Sequence, residues 1–287
     1  MNRRGIIMAG GMGTRLLPST YVVSKQLLPV YNKPMIYYPL STLLIAGVKE
    51  VLIICNQKDK KSFSELLGNG NKFGISITYA IQMKPNGIAE FTHIAKNFIN
   101  GFKIILVLGD NLFYGNDLGV LLSKADRNKS SSTIFGYKIK DPHRFAVVKL
   151  DKDGKPLKIT EKPKKNISNI AVPGLYFYDE TASEIGSFVK PNSKGELDIT
   201  NLNNLYLKKK SLSVEIMRRG FTWFDTGTPD SLIEASNFVK TIEQRQGFMI
   251  SCPEEISFRS GFINKKNLRK IISQEKNPEY KTYLKNL

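Results

Sequence analysis

Cysteine and histidine are almost missing from this chain. Cys55 and Cys252 are the only cysteines among 287 residues, and they have no paired spacing, which excludes a disulfide framework and a zinc motif. A reducing, cytoplasmic setting is the expectation that follows. His93 and His143 are the only histidines, and neither has a ligand-spaced partner, so neither is assigned a role. No apolar run approaches the roughly 18 residues that a membrane helix needs. The glycines from Gly10 onward interrupt the N-terminal apolar stretch before it could act as a secretory signal. Acidic residues are comparatively few, 25 against 43 Lys and Arg, for a net charge of +18. The lysines are scattered, as in Lys58, Lys60, Lys61, Lys164, Lys165 and Lys208 to Lys210. They are not interleaved with aromatics, and no nucleic-acid motif accompanies them. A solvated basic surface that attracts small anions is expected, with neither nucleic acid nor membrane as partner.

Apolar runs suited to buried strands recur at Gly5–Met8, Val51–Cys55, Ile104–Leu108 and Thr133–Tyr137. Amphipathic stretches between them, Pro39–Ala46 and Ala89–Ile99, have helical character. That alternation predicts an α/β fold, a mixed, mostly parallel sheet covered by helices on both faces. After Asp141 shorter strands are expected at Val147–Leu150, Ile159–Thr160, Leu175–Tyr178 and Leu212–Met217, continuing the same sheet. Ser231–Gln246 reads as a helix, with Asp230 near its start and Gly247 at its end. The expected organisation is a main domain over 1–240, with parts at about 1–115 and 116–228, and a mainly helical extension over 241–287.

The densest chemical signal follows the first strand. Ala9 runs into Gly10-Gly11-Met12-Gly13-Thr14-Arg15, with Ser24-Lys25-Gln26-Leu27-Leu28-Pro29 shortly after. Without side chains in the way, successive N–H groups of such a loop can converge on an anion, with Arg15 and Lys25 beside it. A tight strand-to-helix turn is the alternative use of these glycines. Two common phosphate loops are excluded. No Lys-Ser/Thr follows Gly13, and Leu16 occupies the place of the third dinucleotide glycine.

Ligands of open α/β sheets bind beyond the carboxyl ends of strands, which singles out Asp110 in Gly109-Asp110-Asn111 and Asp225 in Phe224-Asp225-Thr226-Gly227-Thr228. Two aspartates suffice for magnesium when phosphates supply further oxygens, although each could equally cap a turn or helix. Thr160-Glu161-Lys162-Pro163 pairs a hydroxyl acceptor with a phosphate-binding ammonium, or is an exposed surface pair. Gly195-Glu196-Leu197-Asp198 offers carboxylates beside a turn, or a helix cap.

Taken together, Gly10–Arg15, Ser24–Val30, Lys33–Leu40, Gly109–Asn111, Glu161–Pro163, Gly174–Asp179, Gly195–Leu197, Asp225–Thr228, Ser231–Ala235 and Ser251–Ile256 resemble the bacterial glucose-1-phosphate thymidylyltransferases of the sugar-nucleotidyltransferase superfamily. The resemblance spans nearly the whole chain in register. It implies a Rossmann-like nucleotidyltransferase fold whose second part binds the sugar. It also implies the reaction of dTTP with glucose 1-phosphate to dTDP-glucose and pyrophosphate, an early step of deoxysugar synthesis such as that of dTDP-rhamnose.

By that resemblance Ala9, Gly10, Gly11, Gly13, Thr14 and Arg15 hold the nucleotide, with Gln82 and Gly87 at the base and Asp110 beside it. Arg15, Lys25 and Lys162 are the catalytic cations. Asn111, Ala146, Glu161, Lys162 and Val172 take the sugar-phosphate positions, and Asp110 and Asp225 the magnesium ion. No covalent intermediate is needed, in keeping with the lack of a nucleophile arrangement. A homotetramer is implied, with a second, regulatory nucleotide site drawing on Arg219, Cys252, Glu255, Ile256 and Arg259.

The chain departs from the family's pattern in two segments. Asp-Pro-Glu-Arg-Tyr-Gly-Val-Val becomes Asp141-Pro142-His143-Arg144-Phe145-Ala146-Val147-Val148, which removes a hydroxyl and adds a methyl beside the sugar. Gly-Leu-Ala-Gln-Ala-Phe becomes Gly87-Ile88-Ala89-Glu90-Phe91-Thr92, which adds a negative charge on the nucleotide side. Pro173 replaces the usual threonine. UTP or a modified hexose 1-phosphate is therefore the alternative substrate, and a weakly active nucleotide-sugar-binding homologue the alternative role.

Overall fold

The computed structural model describes residues 3–287. The chain begins with β1 (Arg3–Ala9), then a small hairpin of β2 (Pro29–Val30) and β3 (Lys33–Pro34). After the helix Tyr37–Ile45 come β4 (Glu50–Cys55), β5 (Ser76–Ile81) and β6 (Lys103–Leu108). β7 (Asn111–Tyr114) follows at once, then β8 (Ser132–Lys138), β9 (Val147–Leu150), β10 (Pro156–Thr160), β11 (Ile170–Ala171) and β12 (Leu175–Tyr178). β13 (Leu212–Met217) and β14 (Thr222–Asp225) precede the helices Pro229–Gln246, Pro253–Arg259, Lys265–Gln274 and Pro278–Lys285.

The main sheet has ten strands in the order β10-β9-β11-β8-β12-β6-β1-β4-β5, with β13 also pairing β8. β5, β4, β1 and β6 are parallel, as the alternation of strands and helices predicts. β12 runs antiparallel to both β6 and β8, so one continuous sheet joins the two parts of the chain. Period-two alternation assigns its faces. Ile7, Ala9, Ile53, Ile105 and Val107 pack under Leu40, Leu43 and Phe63 on one side. Ile6, Met8, Ile54, Leu106 and Tyr178 pack against Phe91, Leu202 and Tyr206 on the other. Each fully buried aliphatic side chain contributes about 1.5–3 kcal/mol, and strands buried on both faces explain the nearly unbroken apolar runs.

Two details differ from the expected elements. The stretch Ala89–Ile99 forms two short helices, Phe91–Ile94 and Lys96–Ile99, with a break at Ala95; the bend keeps Phe91, Ala95 and Ile99 in the core. The helix Pro229–Gln246 runs through residue 240 without interruption, so the expected domain boundary lies inside a helix. Thr228, one residue ahead of Pro229, caps it through a reciprocal arrangement with Ser231, and Gly247 ends it at φ 69. This helix is tied back to the hairpin by a buried ion pair. Lys33 Nζ lies 2.7 Å from Glu243 Oε1, with the two side chains 1% and 7% exposed. Glu243 also accepts from Asn32 and from the Ile250 N–H.

Between β11 and β12 the pairing with β8 slips, from Ala171 opposite Tyr137 to Tyr176 opposite Ile134. Val172–Gly174 therefore leave the ladder and project towards the carboxyl end of β6. Pro173 fits there because it has no N–H to leave unpaired.

Candidate active site

The site forms where β1 and β6 end. Beyond β1, Gly13 adopts φ 63 and starts the short turn Thr14–Leu16, its carbonyl accepting from Thr20 Oγ1 at 2.8 Å. The glycines answer different demands. A side chain on Gly10 would collide with the Gln82 amide, whereas one on Gly11 would meet nothing within 4 Å. Gly13 is thus required by the turn, and Gly10 by the close packing of the Gln82 side chain against the loop. Arg15 is exposed, and its guanidinium lies over Gly227, where any side chain would strike it.

Beyond β6, Gly109 leads to Asp110, and the chain turns directly into β7. β14 pairs antiparallel with β7 and sets Asp225 opposite Asn111, next to Asp110. Thr226 tightens this junction, since its N–H and its hydroxyl both donate to the Asp110 carbonyl, at 3.0 and 2.8 Å. The two aspartates, far apart in sequence, thus sit side by side.

Their electrostatics differ. Burial alone would raise the proton affinity of Asp110, but the Lys25 ammonium, bonded to its carboxylate, and the Asn111 amide hold it below the usual carboxylate value. Asp225 is pushed up by burial and then by the charge of Asp110, against the pull of Lys25, Arg15 and Arg144. Lys25 thus compensates one of two neighbouring acids, and the pair retains an excess of negative charge in a poorly solvated place. Two hard oxygen donors of that kind suit a magnesium ion that draws its other ligands from phosphate and water. Among the described residues no group of three or more His, Cys, Asp or Glu could hold a metal, so the substrate would have to complete the coordination.

Two chambers meet at these acids. One, of about 410 Å³, is lined by Gly10, Gly11, Gln82 and Gly87. The other, of about 220 Å³, is lined by Asn111, Ala146, Val172 and Asp225, with Phe145 and Trp223. Arg15, Asp110, Glu161 and Lys162 face both, and Lys25 faces the larger. Gly10, Gly11, Gln82 and Gly87 thus lie in one space and Asn111, Ala146 and Val172 in the adjoining one, with Arg15, Asp110, Glu161 and Lys162 shared between them. Ala9, Gly13 and Thr14 support the loop and do not line either chamber. A larger groove of about 830 Å³ lies away from this site, and among its lining residues Lys158, Lys190 and Lys208 are the only charged ones.

Lys162 takes φ 39, a left-handed conformation that costs a lysine about 1 kcal/mol or more. The bend carries both Glu161 and Lys162 into the cleft. Glu161 accepts from Thr200 Oγ1 at 2.8 Å and sits 3.6 Å from the Lys162 ammonium. Asn111 lines the smaller chamber, as expected of a sugar-side residue, and its amide is also engaged within the protein. Its Oδ1 accepts from the Gly174 N–H at 2.9 Å and from Trp223 Nε1 at 2.6 Å, and its Nδ2 donates to Asp110. Its amide thereby holds both Asp110 and the Gly174 backbone in place.

Arg144 and Asp198 also line the cleft. Arg144 was visible as a cation within Asp141–Val148. Asp198 both caps the helix Ile199–Lys208, through the Thr200 N–H, and lines both chambers, so the two alternatives for its segment coexist. Among the expected regulatory residues, Glu255 and Arg259 are paired at 2.7 Å on one helix, and Ile256 packs on the core. Cys252 is fully buried beneath Tyr280 and Glu254. Its thiol is enclosed, so any part that Cys252 takes in a second nucleotide site would fall to its backbone. Arg219 is exposed at the end of β13.

A sheet of this topology with paired acids and cations at its strand ends defines a nucleotidyl-transferring enzyme class. A sequence profile described as nucleotidyl transferase matches residues 4–242, and the chain belongs to that family. Relatives refine the placement. The glucose-1-phosphate thymidylyltransferase of Xanthomonas campestris pv. campestris strain B100 is 48% identical over 98% of this chain and 96% of that protein. That of Mycobacterium tuberculosis strain H37Rv is 48% identical over 92% of each. A crystal structure of a candidate glucose-1-phosphate thymidylyltransferase from Bacillus anthracis, in complex with sucrose, superposes with TM-score 0.76 at 36% identity, covering 82% of this chain and 94% of that one. UDP-glucose pyrophosphorylase complexed with UDP-glucose shares the fold, with TM-score 0.75 at 23% identity over 84% of this chain and 99% of that one. Among the described residues no helix is long and apolar enough to cross a membrane.

Proposed function

We propose that this enzyme transfers a thymidylyl group from dTTP to glucose 1-phosphate, releasing pyrophosphate. The observation that carries the reading is that Arg15, Asp110 and Lys162 line both of two chambers of unequal size, with Lys25 in the larger and Asp225 in the smaller. A phosphate oxygen of the sugar phosphate attacks the α-phosphorus. The new P–O bond forms in line as the bond to the β-phosphate oxygen breaks, and pyrophosphate leaves with that electron pair. The nucleophile is already an anion, so no general base is required. The work of the protein is to align two anions and offset their repulsion. Lys162 holds the sugar phosphate, Arg15 the nucleotide phosphates, and Lys25 the developing charge on the leaving group. Glu161 accepts from the sugar hydroxyls. Asp110 and Asp225 would hold a magnesium ion, which would supply positive charge beside the transferring group.

Incubation with glucose 1-phosphate, dTTP and magnesium should release pyrophosphate. Lys25→Ala should lower turnover about 10²–10³-fold, as does loss of one preorganised donor. Wild-type release no greater than that of the variant would remove the reading. A second substrate is favoured by one observation: Phe145 packs at a tilt against Trp223, with ring centroids 4.9 Å apart, in the smaller chamber and brings no hydroxyl there. A hexose 1-phosphate lacking a hydroxyl fits that wall, and a panel of sugar phosphates with dTTP and UTP decides between them. Homotetramer formation in the cytoplasm, and a regulatory nucleotide site near Arg219, Glu255, Ile256 and Arg259, belong to the same proposal. Light scattering and inhibition by dTDP-rhamnose test them.

A further inference from the structure

Gln82 faces the larger chamber but is itself only 4% exposed. Its backbone is anchored by donation to the Cys55 carbonyl at 2.9 Å. Its side chain reaches two acceptors. Nε2 donates to Glu90 Oε2 at 2.7 Å and to the Gly87 carbonyl at 3.2 Å. Glu90 is held in turn by Asn86, whose Nδ2 donates to Oε1 at 2.9 Å. The loop carrying these groups is pinned across the cleft, since the Leu197 N–H donates to Asn86 and the Ala89 N–H to Leu197. Gly87 takes φ 102, and a side chain there would collide with the Leu197 backbone.

An amide ordinarily offers two orientations with opposite hydrogen-bonding character, and Glu90 removes the choice. An ionised carboxylate can only accept, so the amide nitrogen must face it, and both of its protons are used within the protein. Oε1 is left over. It sits against Gly10 at the rim of the phosphate loop, and among the described residues no donor reaches it.

We propose that Glu90 is a positioning residue that locks the Gln82 amide, so that the chamber presents the nucleotide base with an acceptor and no donor. The inference rests on the reading of this chamber as the nucleotide site. A base with a ring N–H, such as thymine or uracil, matches that acceptor. Cytosine places an unprotonated ring nitrogen at the same point, where two acceptors repel. The 4-oxygen of the matching base must then find its donor elsewhere than Gln82. With glutamine at position 90 only the longer contact to the Gly87 carbonyl still favours this orientation, and a turned Gln82 would donate to cytosine.

Calorimetry of dTTP and dCTP binding to the full-length protein tests this without relying on turnover. In Glu90→Gln the preference for dTTP over dCTP should fall about tenfold or more, with sugar phosphate affinity unchanged. Gln82→Glu alone should weaken both nucleotides by placing two carboxylates together. The double exchange, Gln82→Glu with Glu90→Gln, should restore the dTTP preference, because the amide now donates from position 90 and the acceptor again faces the base. A Glu90→Gln variant that keeps the wild-type ratio, or weakens both nucleotides equally, overturns the assignment. So does a double exchange that fails to recover the preference. Wild-type protein that prefers dTTP in binding yet releases no pyrophosphate would instead refute the proposed reaction and support the amide assignment.

Discussion

Replacing Asp110 or Asp225 by asparagine should abolish turnover, but the two changes should move stability in opposite directions. Lys25 and Asp110 form an ion pair whose side chains are 11% and 13% exposed. Asp110→Asn leaves that ammonium without its counter-charge in a nearly enclosed place. Breaking one side of a buried pair costs about 3–5 kcal/mol, and the residual solvent contact trims this to about 2–4 kcal/mol. Asp225 is held with its proton affinity raised, by burial and then by Asp110, so its ionised form is a burden to the metal-free fold. Asp225→Asn should therefore be neutral or stabilise by about 1 kcal/mol. Urea denaturation of the metal-free proteins measures both.

The pH dependence separates the two further. Asp110 has a folded value below its ordinary 3.8. Its contribution is fully present above that ordinary value and is lost as pH falls from 3.8 through the lowered one. The Asp110→Asn deficit should thus be flat between about pH 5 and pH 7. Asp225 has its value raised above 3.8, so relative stability is present at low pH and lost as pH rises through the raised value. The benefit of Asp225→Asn should grow over that rise. Equal destabilisation by both variants, or the larger loss in Asp225→Asn, would refute the charge balance described here.

Three further outcomes follow from the same geometry. Gly10→Ala should raise the KM for the nucleotide about tenfold or more, because its methyl collides with the Gln82 amide; steady-state kinetics with unchanged KM for the sugar phosphate checks this. Lys33→Met strands Glu243 in the core beside the hairpin and should cost about 3–5 kcal/mol by chemical denaturation, with the nucleotide affinity of the folded fraction retained. Neither thiol should react with an aromatic disulfide reagent before unfolding. Both cysteines are buried, and burial, then Asp59, pushes Cys55 up to about 11.

Some of the site was legible in the residues because it depends on local chemistry. Gly13 needs a left-handed turn, and strands buried on both faces read as unbroken apolar runs, so Asp110 could be placed at a strand end before any fold was known. Asp225 could be marked in the same way, by the apolar run before it. The hydrogen bonds of Asn111 were not legible, since its partners Gly174 and Trp223 come from distant segments. Cys252 was likewise indistinguishable from a surface cysteine until Tyr280 covered it.

The amino-acid sequence on its own determined the strands, the glycine loop and the inventory of charges, because periodicity and backbone freedom act over a few residues. Only the tertiary structure decided which charges oppose one another. The β7–β14 ladder makes Asp225 a neighbour of Asp110, Lys25 neutralises only one of them, and Glu90 dictates which end of the Gln82 amide faces the cleft. Coulomb interaction and desolvation depend on distance and enclosure in space, and the order of residues along the chain carries neither.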